Sequence, residues 1–114
     1  MSKLNPFNLK EHGSYIKQLL VKKSMADVTG NGREILFEQP VLRVMHRENI
    51  SQENLHRFIR DYPITGLKPL NQTFSRYMIQ ISGSLGRKGI QMDLEMKLDR
   101  SGLDIRVVNL YIKH

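Results

Sequence analysis

Along residues 90–98 apolar and polar side chains alternate without a break: Ile90, Met92, Leu94, Met96 and Leu98 against Gln91, Asp93, Glu95 and Lys97. A period of two places the apolar set on one face of a strand and the polar set on the other. The turn signal Asp99-Arg100-Ser101-Gly102 follows and a second apolar-rich segment returns, so Gly89–Lys113 reads as a β-hairpin. In the return segment Leu103, Ile105 and Val107 fall on odd positions, then Val108, Leu110 and Ile112 on even ones. That change of phase implies either a bulge at Val107-Val108 or a strand buried on both faces.

Elsewhere the spacing lengthens to that of helices. Tyr15, Ile16, Leu19 and Leu20 predict a first helix from Leu9 to Val21, with Asn8 and Glu11 placed as a capping box and Lys10 and Lys17 facing outward. Leu55, Phe58, Ile59 and Tyr62 predict a second helix that opens at Ser51 and stops before Pro63, with His56 on its solvent side. Between the two helices, Arg33–Arg47 is rich in Ile, Leu, Phe and Val but carries Pro40. It is expected to form an edge strand, or two short strands bent at Gln39-Pro40. Pro63–Gln72 is expected as a loop because Gly66 and Pro69 interrupt it. Thr73–Ser82 is expected as a strand with Tyr77, Ile79 and Ile81 on one face and Arg76, Met78 and Gln80 on the other.

The expected architecture is a single α+β domain spanning 1–114: two helices packed on one face of a curved antiparallel sheet of four to five strands, in the order α-β-α-β-β-β. The same order of elements occurs in cystatin-like and nuclear-transport-factor-like folds. That likeness rests on element order alone and implies either a concave pocket or self-association through the outer sheet face.

Composition changes the picture mainly through charge. The chain has 114 residues, 39% hydrophobic and 25% charged, with no cysteine and a formal net charge of +7. The absence of cysteine removes disulfides, thiolate nucleophiles and cysteine-containing zinc sites. No apolar run approaches the roughly 20 residues of a membrane span, and residues 1–13 lack the apolar core of a secretory signal. If Met1 is the native start, the protein is expected in the cytoplasm. The excess charge sits in two blocks, residues 1–26 and 62–92, each at +4, around a nearly neutral middle.

Candidate chemistry is sparse. The loop Gly83–Gly89 holds three glycines besides Arg87 and Lys88, a composition able to cradle a phosphate, but it matches neither phosphate-binding glycine motif. Arg87, Lys88, Arg76, Lys10 and Lys17 are the candidate anion or nucleic-acid contacts, with Phe74 and Tyr111 as the stackers expected to be exposed. His12, His46, His56 and His114 show no metal-ligand spacing, and the Asp93-Glu95-Asp99 row is expected to be answered by Arg76 and Arg106 across the sheet. Neither a catalytic residue nor a cofactor or metal ligand emerges. Met78, Val108, Leu110 and Ile112 are the candidate protein interface, from the phase slip and from the outer-face position of Met78.

These features predict a non-catalytic basic module that binds another protein or self-associates in an assembly or adaptor role. One alternative is sequence-nonspecific nucleic-acid binding through the two basic blocks. The other is a small-ligand pocket between the second helix and the sheet.

Overall fold

A computed structural model of the chain describes residues 9–28, 35–73, 75–99 and 102–114. Three helices and five strands follow one another: α1 (Leu9–Val28), β1 (Ile35–Phe37), α2 (Gln39–Glu48), α3 (Gln52–Asp61), β2 (Ile64–Pro69), β3 (Arg76–Leu85), β4 (Lys88–Asp99) and β5 (Gly102–Lys113). The strands form one sheet in the order β1-β5-β4-β3-β2, antiparallel throughout except for the parallel pair β1–β5. This is an α+β fold with the sheet left open. No helix among the described residues is long and apolar enough to cross a membrane.

The opening hairpin is its centre. Ile90, Met92, Leu94 and Met96 of β4 are all buried, beside Tyr77, Ile79 and Ile81 of β3 and Ile105, Val107 and Leu110 of β5. Burying a large apolar side chain contributes about 1.5–3 kcal/mol, so this face holds the domain together. The phase slip is a bulge: Asp93 pairs with Asn109 and Leu94 with Val107, leaving Val108 as the extra residue. The bulge returns Leu110 and Ile112 to the face already occupied by Ile105 and Val107. The second buried face offered as the alternative does not form.

The segment expected as a bent strand folds differently. Among its described residues Ile35–Phe37 is the strand; Gln39–Glu48 is a helix, with Pro40 in its first turn and Glu38 as an extended N-cap. Proline suits that turn, where its missing N–H has no intrahelical partner and its fixed φ is already helical. Val41 and Met45, four apart, supply the buried stripe. The helix closes with Asn49 in the left-handed region (φ 56°) and the Ile50 amide returned to the Met45 carbonyl at 2.8 Å.

Two other expectations change. Residues 64–69 form the edge strand β2, bulged between Ile64 and Gly66, in the stretch expected as a loop. An edge strand admits both a glycine at a bulge and a terminal proline, which is why those residues misled. α1 runs on to Val28; Ile16 and Leu20 are fully buried, whereas Tyr15, expected in the core, is 43% exposed. The Asn8 cap lies outside the described residues.

α3 begins as predicted. The Ser51 hydroxyl accepts from the Asn54 amide and the Asn54 side chain accepts from the Ser51 amide, each at 3.0 Å, a reciprocal capping box. His56, expected on its solvent side, is instead 3% exposed, with its ring edge-on to Phe37 at 6.0 Å. α3 lies between α1, β3 and the end of β1, so its buried surface is wider than one amphipathic stripe. Tyr62 follows it and lies flat on the β3 backbone, where a Cβ on Gly83 would stand 2.3 Å from the Tyr62 ring. Its hydroxyl reaches the Ser84 hydroxyl at 3.2 Å.

Candidate protein-binding face

All the buried strand residues point toward the helices. The opposite face of the sheet carries Arg106, Asp104 and Tyr111 from β5, Gln91, Asp93, Glu95 and Lys97 from β4, Arg76, Met78 and Gln80 from β3, and Lys68 from β2. Not one of them is buried. Register joins them into rows across the strands. One row runs Leu36–Arg106–Glu95–Met78–Lys68. The rows beside it contain Asp104–Lys97–Arg76 and Asn109–Asp93–Gln80. β4 is the central strand, with β5 and β3 on either side of it, so the side chains of these three occupy the middle of the face.

The charges on this face answer one another. Arg76 pairs with Glu95, as the sequence led us to expect, and Arg106 lies 3.4 Å from Glu38. Asp93 accepts from the side-chain amides of Gln80, Gln91 and Asn109, each at 3.4 Å. Pairs this exposed contribute about 1 kcal/mol or less apiece, so they orient side chains more than they stabilise the fold. A hollow of about 340 Å³ lies at one end of the face, lined by Leu36, Arg76, Glu95, Lys97, Asp104, Ile105 and Arg106. A second, of about 360 Å³, includes Gln91, Tyr111, Ser82 and Lys113. Leu36 and Tyr111 are 51% and 52% exposed, the apolar surface this face offers.

Among the described side chains the predicted cations do not converge. Lys17, expected to face outward, donates its ammonium to the carbonyls of Ile59 and Tyr62 at the end of α3. Desolvation lowers its pKa from the usual lysine range, against the opposing pull of Asp61. Lys88 donates to the Glu48 carbonyl at 3.1 Å and lies 3.3 Å from its carboxylate. Arg76 belongs to the outer face, Arg87 to the exposed β3–β4 turn, and Lys10 to α1, its side chain outside the described set. The three-glycine loop is shorter than expected: β3 and β4 pair up to Leu85 and Lys88, leaving a two-residue turn with Gly86 at φ +62°. Glycine first in such a turn is a hairpin requirement and forms no phosphate cradle.

The predicted interface residues also separate. Met78 is on the outer face and Val108 is the half-buried bulge residue, but Leu110 (6% exposed) and Ile112 pack with the core. Phe74 lies outside the described residues, leaving Tyr111 as the exposed stacker. The polar side of the β4 alternation and the outer position of Met78 are the sequence signals for this face; periodicity does not display the register that joins its side chains into rows across the strands.

Among the described residues no cluster of His, Asp and Glu is arranged to hold a metal ion. The space between α3 and the sheet, where a ligand pocket was envisaged, is filled by Leu55, Phe58 and Ile59 against Ile79 and Ile81, each at most 1% exposed. Compared with known protein families, with curated proteins and with solved structures, the chain finds no match in any of the three.

Proposed function

We propose that this domain is a non-catalytic binding module that presents the outer face of its sheet to another protein. The observation that carries the reading is one-sided burial: three helices share one face, while every outer-face side chain named above stays at least partly exposed. A face with mixed charge, paired amides and a few apolar side chains resembles non-obligate protein interfaces, which are about as polar as the rest of a surface. The nucleic-acid alternative is supported by Tyr111 beside Gln91. It is weakened by the cations, since Lys17 and Lys88 are engaged within the fold and the others scatter.

Lysine footprinting of the protein in its native assembly tests this reading. Lys97 on the outer face is expected to become protected, while the exposed Lys22 of α1 stays reactive. Protection of Lys22 with Lys97 still reactive would place the partner on the helical side and overturn the proposal.

A further inference from the structure

Cross-strand chemistry on the outer face repeats a single theme. At consecutive registered positions, β5 and β4 juxtapose Asp104 with Lys97, Arg106 with Glu95, and Asn109 with Asp93. Each pair is complementary, and each lies either side of one line that runs along the hairpin between the two strands. In the middle row, complementarity extends one strand further on both sides: apolar Leu36 flanks Arg106, and apolar Met78 flanks Glu95.

A two-fold axis along that line turns every such pair into a contact between molecules. Rotation about an axis parallel to the strands keeps each row at its own height and exchanges left for right. A second copy laid face to face would therefore set its Glu95 on Arg106, its Lys97 on Asp104, its Asp93 on Asn109 and its Met78 on Leu36. An isologous dimer needs this self-complementarity. An axis along the middle of β4 would set Glu95 on Glu95 and Lys97 on Lys97. An axis across the strands between the Glu95 and Asp93 rows would set the charged Asp104–Lys97 row on the uncharged Tyr111–Gln91 row. One between the Lys97 and Glu95 rows is complementary, with Lys97 on Glu95 and Asp104 on Arg106, but there Arg106→Glu would face Asp104 and mixing it with Glu95→Arg would restore no pair, so the charge reversals below separate the two axes.

The in-chain pairs fit the same arrangement. Arg106 already leans on Glu38, and Glu95 on Arg76. Bringing Arg106 to the Glu95 of a second copy makes a chain of four charges that alternate in sign. About this axis β5 of one copy covers β4 of the other and the short β1 covers part of β3, while β2 lies outside the overlap. At about 3.3 Å per residue and about 4.8 Å between strands the overlap is on the order of 500 Å² per partner. A standard interface uses roughly 800 Å² per partner, so the contact is that of a small, weak dimer. Twisted sheets pack face to face at about 30°, so the contacts nearest the axis, Arg106 with Glu95, remain the closest.

We infer that the partner of the outer face is a second copy of this chain, docked sheet on sheet about a two-fold axis running between β4 and β5. This rests on the proposal that the outer face is a protein-binding surface. Two single charge reversals and their mixture test it by analytical ultracentrifugation. Arg106→Glu opposes two carboxylates across the axis, and Glu95→Arg opposes two guanidinium groups, so each variant alone is expected to lose the dimer that the wild type forms. Mixed in equal amounts, the two variants restore opposite charges at both contacts, and a mixed dimer is expected to return. Mixing leaves the in-chain neighbours of each variant unchanged, so recovery reports only on contact between molecules. Asp104→Lys mixed with Lys97→Asp repeats the test one row away, should either central variant fold poorly.

Variants that remain as dimeric as the wild type, or that do not recover on mixing, would overturn the inference. So would a wild type that stays monomeric at high micromolar concentration. In that last case, protection of Lys97 in the native assembly would still uphold a foreign protein on the same face, whereas its absence would remove both.

Discussion

Lys88, the first residue of β4, clamps Glu48, the last residue of α2: its ammonium donates to the Glu48 carbonyl at 3.1 Å and lies 3.3 Å from the carboxylate. The same carboxylate meets the His114 imidazole at 3.2 Å and the Arg47 guanidinium at 3.4 Å. At its other end α2 is held by the Glu38 amide, which donates to the Val107 carbonyl at 3.1 Å. The helix is thus pinned along β5 at both ends.

Glu48→Gln is expected to lower the melting temperature and to flatten its dependence on acid. Desolvation pulls the Glu48 carboxyl up, but hydrogen bonds from Lys88 and Arg47, with the charges of His114 and Lys88, outweigh it and hold the pKa below the usual carboxylate value. A depressed folded-state pKa gives stability that is present above the unfolded value near 4.5 and lost as pH falls through the folded value. The difference in melting temperature between wild type and variant should therefore narrow as the solution is taken below pH 4.5. A constant difference across that range would show that the carboxylate charge does not matter.

Lys17→Met tests the other clamp. Lys17 donates to the carbonyls of Ile59 and Tyr62 at the end of α3, where Pro63, four residues past Ile59, has no N–H to offer. Charge-assisted hydrogen bonds are worth about 1.5–3 kcal/mol when dry; partial exposure here reduces the expected loss to about 1 kcal/mol. Urea titration should show a lower midpoint with an unchanged slope.

Gly83→Ala should be far more disruptive than its size suggests. The added methyl would stand 2.3 Å from the Tyr62 ring, which is itself packed on Phe58 at 4.8 Å. Overpacking of this kind costs about 1–3 kcal/mol. Adding Tyr62→Ala opens the space, so the double variant should lose less than the two single losses combined. Full additivity in thermal melts would mean that the ring and Gly83 do not touch.

Deleting Val108 should leave a folded protein, because Asp93–Asn109 and Leu94–Val107 are already neighbouring register pairs and the core set stays inward. Deleting Glu95 instead shifts β4, which pairs with β3 without a bulge to absorb the change, so one side of the deletion must turn its apolar residues to solvent. Circular dichroism melts should rank the two deletions in that order.

The hairpin, the capped α3 and the open outer face were all readable from periodicity, because alternation reports which side of a strand is dry whatever packs there. The phase slip was visible too, but it left a bulge and a two-sided strand open, and only the pairing of Asp93 with Asn109 and Leu94 with Val107 decides for the bulge. Residues 39–48 were not readable in the same way: Val41, Leu42, Val44 and Met45 are compatible with either period. Pro40 argues against a central strand yet fits a first helical turn equally well. Contact with β5 tipped that balance, and the chain alone does not display it.

Charge shows the same division. Composition established that the protein is basic and that the excess lies in two blocks, for that is arithmetic along the chain. Which cations face outward depended on folding: Lys17 turned to the carbonyls at the end of α3, and Lys88 to Glu48. His56 turned inward because α3 has packed neighbours on more than one side. Local pattern sets which face of an element is apolar. Only the assembled domain sets how many neighbours that element has, and so which polar groups must serve the fold and which remain available to a partner.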